Sequence, residues 1–285
     1  MIRYCGRNFT PTEMERIRCL VQENPSHTRA QLSRLTCEIL GWHKRDGGLK
    51  EMSCRVAMLR MQKDGLITLP PPRQKNNPHS VPAITSRSDP FFPITKAAGQ
   101  LSDLRLLMVE RKTQSSFWNE LIQRYHYLGY KRLPGAQLRY FVQCREGTVA
   151  VIGFGAAAWK VAPRDNWIGW TPQQRERNLH LIVNNARFLI LPWVKSKNLA
   201  SKILSLAAKQ LPVDWERRYG YRPVLLETFV QIDRFEGTSY KAANWIFLGI
   251  TQGRGKLDRF NQYLLPKKYI LVYPLIKHFQ SYLIR

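Results

Sequence analysis

Carboxylates are scarce in this 285-residue chain: 20 Asp and Glu stand against 45 Lys and Arg, a formal net charge of +25 at pH 7. Internal ion pairs cannot absorb that surplus. Much of it must face solvent and seek polyanions, with nucleic acid the leading partner class. The excess is spread over both halves of the chain rather than gathered in a tail. Metal-ligand spacing is also missing. Cys5, Cys19, Cys37, Cys54 and Cys144 include no CxxC pair and no histidine at zinc-ligand distance. That excludes a zinc finger and a disulfide framework, and it reads as reduced thiols. Cys19, Cys37 and Cys54 fall in helix-like runs and are expected as core filler. No apolar run is long enough to cross a bilayer and no secretory leader is legible, so a cytoplasmic protein without membrane attachment is expected. What is plentiful is apolar mass. Hydrophobic residues make up 44% of the chain, with 8 Trp, 12 Tyr and 12 Phe, enough for a packed core and for two domains.

Residues 1–70 read as a helical module. Thr10-Pro11 followed by Glu13 is a capped helix start, and Met14, Ile17, Leu20 and Val21 recur at helical spacing until Asn24-Pro25. Thr28 caps a second helix with Leu32, Leu35 and Ile39 as its expected buried face, ending at Gly41. A third helix, about Leu49 to Lys63, carries Leu49, Met52, Val56 and Leu59 at intervals of three and four. Gly65 stops it, and Leu66–Leu69 follows as a strand. Three short helices and a strand resemble the winged helix-turn-helix group, in which the third helix enters the major groove. Lys50, Ser53, Arg55 and Arg60 would then face DNA. The competing reading is a small bundle used for protein contact. Pro70-Pro-Pro72 opens a Pro-, Asn- and Ser-rich stretch, so 71–100 is expected as a linker, docked by Phe91 and Phe92.

Residues 101–285 read as an α/β (α+β) domain. Trp118, Leu121, Ile122 and Tyr125 share one helical face. Leu138–Cys144, a turn at Arg145-Glu-Gly147 and Thr148–Gly155 make a hairpin. A strand at Arg187–Leu191 then feeds a basic loop and a helix, Leu199–Leu211. Strands follow at Pro223–Val230, Trp245–Leu248 and Tyr269–Leu275, with a helix near Tyr240–Asn244. A strand opening through a basic loop into a helix N-terminus is suited to phosphate. The order helix, hairpin, strand, helix, strand, helix, strand, strand resembles the mixed sheet of the Gcn5-related N-acetyltransferase (GNAT) superfamily. In that family an Arg/Gln-x-x-Gly-x-Gly/Ala loop holds the pyrophosphate of acetyl-CoA on its amides. Here the stretch is Lys195-Ser-Lys-Asn-Leu-Ala200. Lys195 and Ala200 fit; Asn198 stands where glycine is expected, and Asn tolerates left-handed backbone better than most residues.

Other motifs are more particular: Tyr125-His-Tyr-Leu-Gly-Tyr130, Gly153-Phe-Gly-Ala-Ala-Ala-Trp159, Asn184-Asn-Ala-Arg-Phe-Leu-Ile-Leu-Pro-Trp193, Lys197-Asn-Leu-Ala-Ser201 and Tyr240-Lys-Ala-Ala-Asn-Trp245. In this order they resemble the DruA family of the Druantia anti-phage system, relatives of which occur beside or fused to transposases. The resemblance spans roughly 115–260. It implies DNA as partner, together with other defence or mobile-element proteins, and supplies no reaction.

Three residues invite catalytic roles. His126 sits among Tyr125, Tyr127 and Tyr130, as a general base, a base-stacking group or a core histidine. Glu227 and Asp233 flank a strand end, with Glu236 beyond, and could hold Mg²⁺ for phosphodiester cleavage. Glu227 could instead be a buried acid paired with an arginine, Arg187 being the neighbour in view. Consecutive Asn184 and Asn185 are poor strand formers and mark a bulge or a strand start. Lys195, Lys197, Asn198, Arg254 and Lys256 are the expected phosphate contacts of this domain. Three functions therefore stand open: DNA binding, metal-dependent nicking or strand transfer, and acyl transfer from acetyl-CoA.

Overall fold

The computed structural model describes residues 1–44, 47–72, 81–254 and 265–285. The chain divides into two compact units, Met1–Ser80 and Val81–Arg285.

The first unit opens with an antiparallel ribbon, β1 (Ile2–Tyr4) and β2 (Arg7–Phe9), turned by Cys5 and Gly6 at φ 49° and 80°. Two positive φ values suit the twist of a two-residue hairpin, but Cys at the first of them gives no turn signal in sequence. Helix α1 (Pro11–Glu23) begins where its cap predicts: Thr10 Oγ1 accepts the Glu13 N–H, and the Glu13 carboxylate accepts the Thr10 N–H. It buries Met14, Ile17, Leu20 and Val21, as the spacing requires. Thr28 and Gln31 cap α2 (Arg29–Ile39) in the same manner.

The faces of the next two helices differ from expectation. Helix α2 buries Leu32, Ser33, Thr36 and Cys37 and leaves Ile39 48% exposed. The Ser33 and Thr36 hydroxyls donate to the Ala30 and Leu32 carbonyls, so each packs as a small residue with its polarity satisfied. Helix α3 (Glu51–Lys63) buries Cys54, Ala57, Met58 and Met61, turning Met52, Val56 and Leu59 outward. Apolar residues ring this helix, so spacing alone admits two faces. Small Cys54 and Ala57 favour the one that packs closely. Cys19, expected in the core, is exposed. Leu66–Leu69 forms no ladder among the described residues, although Ile67 and Leu69 are buried. The β-type contact found instead is His43 opposite Leu49, between α2 and α3.

The second unit is built on a seven-stranded sheet. In chain order its elements are β3 (Arg105–Met108), α4 (Lys112–Tyr125), β4 (Gln137–Cys144), β5 (Gly147–Ala156), α5 (Ala162–Ile168), α6 (Pro172–Asn178), β6 (Ile182–Ile190), α7 (Leu199–Tyr219), β7 (Leu225–Gln231), α8 (Thr238–Lys241), β8 (Ile246–Ile250), β9 (Lys268–Pro274) and α9 (Phe279–Leu283). The spatial order is β3-β4-β5-β6-β7-β9-β8. All neighbours are antiparallel except β6 and β7, which run parallel with α7 as their crossover. Consecutive burial from Val149 to Phe154 shows that the sheet is covered on both faces. Helix α7 runs past Pro212, where the sequence reading ended it at Leu211; Pro212 is buried, and packing offsets the lost backbone bond. Residues from 81 onward, read as linker up to 100, belong to this unit. Phe91 and Phe92 are 62% and 79% exposed, and buried Ile94 docks the segment by bridging Val194 in parallel.

Gly153 shows how tightly the centre is filled. A Cβ there would stand 2.9 Å from Trp118 Cζ2. Trp118 is 2% exposed and held by a bond from its Nε1 to the Tyr140 carbonyl, so it has nowhere to retreat. Gly153→Ala is expected to cost about 1–3 kcal/mol of stability by overpacking, read by chemical denaturation.

Candidate functional site

The parallel pair does not stay paired. Register holds only between Ile182–Asn185 and Leu225–Thr228, while β6 continues to Ile190 and β7 to Gln231, so their carboxyl ends part. The cause is local. Asn185 lies opposite Phe154 and Arg187 opposite Gly153, leaving Ala186 as the extra residue of a β-bulge that bends β6. Of the two features the asparagine pair allowed, a bulge or a strand start, it marks the bulge. Asn185 Nδ2 braces it with bonds of 3.2 Å to the carbonyls of Gly153 and Arg187. Thr228 Oγ1 donates to the Asn185 carbonyl at 3.1 Å, and the Tyr240 hydroxyl donates to Asn185 Oδ1 at 2.6 Å. Burial pushes the Tyr240 phenol far above its usual range, so it holds its proton at the fork.

Carboxyl ends of parallel strands, where neighbours diverge, are the usual place for a ligand in such sheets. Here α7 starts beside the fork. Its N-cap, Asn198, has φ 62° and ψ 9°, the left-handed conformation expected of a residue standing in for glycine. The N–H groups of the first turn, of which that of Leu199 donates to the Ser196 carbonyl at 3.4 Å, and the dipole of a 21-residue helix face this end. A cleft of about 320 Å³ lies here, lined by Ala98, Asn198, Ser201, Lys202, Ala242 and Asn244 among others. Lys202 Nζ donates to the Ala98 carbonyl at 2.8 Å, so the docked segment forms one wall. Lys195 and Lys197 are exposed on the approach.

The three catalytic candidates do not form one site. Glu227 is wholly buried and ion-paired, not with Arg187 but with Arg164, at 2.6 Å; it also accepts the Ala158 N–H at 2.7 Å. Arg164, itself 0% exposed, also binds Asp165 and the Ala158 carbonyl. Burial pushes the Glu227 carboxyl up, while Arg164 and the Ala158 amide pull it down. No solvent-borne ion reaches it. Asp233 is exposed beyond β7 and accepts from Gln231 Nε2 at 3.1 Å. Among the described residues no group of three His, Cys, Asp or Glu side chains could hold a metal ion.

His126 caps the end of α4, stacked on Tyr127 at 4.8 Å. Burial first, then the charge of Arg187, pushes its imidazole down to about 4. Its Nδ1 accepts the Leu128 N–H at 3.2 Å, which leaves the proton of the neutral ring on Nε2 and no free lone pair for a general base. The folded state therefore refuses a proton that the unfolded chain accepts below about 6.5. Stability is expected to fall as pH drops from there to about 4, and His126→Gln to flatten that slope in pH-dependent denaturation.

Beside His126 lies a cluster the sequence did not bring together. Arg187 projects from the bulge; one Nη donates to the Ala186 carbonyl at 2.7 Å, and its Nε is enclosed without a partner. Burial pulls the Arg187 and Lys268 groups down, and for Lys268 the charge of Arg187 adds to it. The Arg234 guanidinium stands 5.2 Å from the Tyr127 ring, and Phe235 meets that ring edge-on at 5.4 Å. Spacing along the chain gives no hint that residues 127, 187, 234 and 268 converge.

The remaining contact residues are dispersed. Lys50 and Arg60 are exposed at opposite ends of α3, Ser53 and Arg55 are half-buried, and the apolar Met52, Val56 and Leu59 share its outward side. Arg254 is exposed and engaged in interactions of its own, and Lys256 lies outside the described residues.

A mixed seven-stranded sheet, one parallel pair forking at a bulge and a left-handed residue opening the crossover helix make this an α/β fold. Residues 60–265 match the family model for the Druantia protein DruA, and the chain belongs to the DruA family. No curated protein matches it. Among solved structures it is similar to a chimera of the spermidine N-acetyltransferase SpeG from Vibrio cholerae with hSSAT, at 12% identity and TM-score 0.40, covering 65% of this chain and 100% of that one. It is also similar to the aminoglycoside acetyltransferase AAC(6')-Ib in complex with coenzyme A, at 13% identity and TM-score 0.40, covering 60% and 93%. An acetyltransferase from Bacillus subtilis in complex with CoA aligns at 10% identity and TM-score 0.35, covering 61% and 100%. No helix of the described residues is long and apolar enough to cross a membrane.

Proposed function

We propose that the second unit binds an acyl-CoA at the β6/β7 fork and transfers its acyl group, as a cytoplasmic component of anti-phage defence. The carrying observation is the left-handed Asn198 at the start of α7, placed where the parallel strands part. The residues present fit the group. The first-turn amides of α7, Ser201 and the exposed Lys195 and Lys197 would hold its phosphates, beside the cleft that Asn244 lines. Bound there, an acyl-CoA supplies a thioester already activated toward attack. The chain's own part is to orient and to manage protons. Asn185 keeps the bulge open, and Tyr240 presents a phenol that burial keeps protonated at Oη.

Calorimetry with acetyl-CoA is expected to show saturable binding. Tyr240→Phe should leave that binding intact while lowering CoA release in the presence of acceptors by about 100-fold or more, the usual scale of a positioned proton donor. No heat of binding at any accessible concentration would overturn the reading.

Nucleic-acid binding is the second reading, favoured by the +25 charge. The nicking reading is disfavoured, because Glu227 is sealed against solvent and committed to Arg164. Contact of α3 with a major groove is weakened by the apolar side chains it turns outward.

A further inference from the structure

The fork has a side that acyl-CoA binding leaves unused. Lys268 stands opposite Gln231 in register and within the field of Arg187, whose Nε is enclosed without a partner, and neither cation is ion-paired to a carboxylate among the described residues. Holding two cations together, partly removed from water, costs free energy that an anion would recover. Asp233 is the acid at the rim, acting on the Tyr127 hydroxyl and accepting from Gln231. It does not cancel Arg187, Lys268 and Arg234 together.

Aromatic surface accompanies the charge. Tyr127 and Phe235 are packed edge to face, yet 36% and 48% exposed, with His126 stacked against Tyr127 to stiffen it. With His126 and Arg234 laid on the Tyr127 ring, Phe235 is the more open aromatic, and an exposed ring propped beside desolvated cations matches one ligand chemistry: a phosphate backbone with unpaired bases, the phosphate neutralised and a base stacked. A duplex offers the phosphates and hides its base faces. We infer that Tyr127, Arg187, Arg234, Phe235 and Lys268 form a binding site for single-stranded nucleic acid, the phosphates drawn to the three cations and one base laid against Phe235, which Tyr127 props. The inference rests on the nucleic-acid reading and is independent of acyl transfer.

Fluorescence anisotropy of the full chain with a short labelled oligothymidylate at near-physiological salt tests it. Because the chain is so basic, binding alone proves nothing; the variants decide. Phe235→Ala is expected to weaken binding roughly 5- to 150-fold, the range for losing one stacked base, and Tyr127→Ala to weaken it less by loosening the Phe235 ring, with Tyr127→Phe retaining it. Lys268→Gln should lower the salt-dependence slope by about 0.7, the value for one phosphate of a single strand. Affinity for a duplex of equal length should change little in any variant. If Tyr127→Ala fails to fold, Phe235→Ala and Lys268→Gln carry the test, their side chains being partly exposed. A wild type that binds the oligonucleotide while every variant matches it overturns this site and leaves the nucleic-acid reading standing. A wild type that binds no single strand overturns both.

Discussion

Glu227→Ala is expected to cost about 3–5 kcal/mol of folding free energy, because it strands the Arg164 guanidinium, 0% exposed, without its counter-ion. Arg164 would keep Asp165 at 2.7 Å, but Asp165 is shared with the Val161 N–H and with Arg175. The pair ties α5 to the middle of β7, opposite Asn184 in register, so its loss should loosen that side of the sheet. Urea denaturation followed by circular dichroism measures the effect. Removing both charges is expected to be far milder. Arg164→Met with Glu227→Leu should recover most of the loss, since a buried ion pair replaced by apolar groups is often neutral or better. A Glu227→Ala protein of unchanged stability would show that the carboxylate is not the structural anchor its geometry describes. It would also reopen a role for it in chemistry.

Glycine and valine at position 198 should move stability and ligand binding together, and in opposite directions from each other. Asn198→Gly is expected to be neutral or slightly stabilising and to keep or tighten acetyl-CoA binding. Glycine takes φ 62° without steric cost and lets a phosphate approach the backbone more closely. Asn198→Val should cost about 1–3 kcal/mol, the strain of a β-branched residue in left-handed backbone. It should also weaken acetyl-CoA about tenfold or more as the loop rearranges to escape that strain. Calorimetry and thermal unfolding on the same preparations give both numbers. Equal acetyl-CoA affinity in the glycine and valine proteins would remove this loop from the site.

Local features were legible before any fold was known. The Thr10–Glu13 cap, the face of α1, the hairpin at Arg145–Gly147 and the backbone of Asn198 each depend on residues within a few positions of one another. Asn184-Asn185 signalled the bulge for the same reason: amide side chains break a strand's regularity wherever they stand. The outward faces of α2 and α3 were misread because apolar residues surround both, and only a packing partner chooses among them. Helices α5 and α6 were missed. Each is 7 residues long, too short for a period to emerge.

Sequence by itself determined the chain's overwhelming positive charge, the order of the strands from β4 to β9 and the phosphate-suited start of α7, since composition and short-range chemistry survive any fold. Tertiary structure alone decided which arginine neutralises Glu227. It also decided that Arg234 lies over Tyr127, that Lys268 falls within the field of Arg187, and that Tyr240 reaches across to Asn185 at the fork. Those are contacts between residues tens of positions apart, set by the parting of β6 from β7 and the packing around them. No periodicity along the chain encodes that distance.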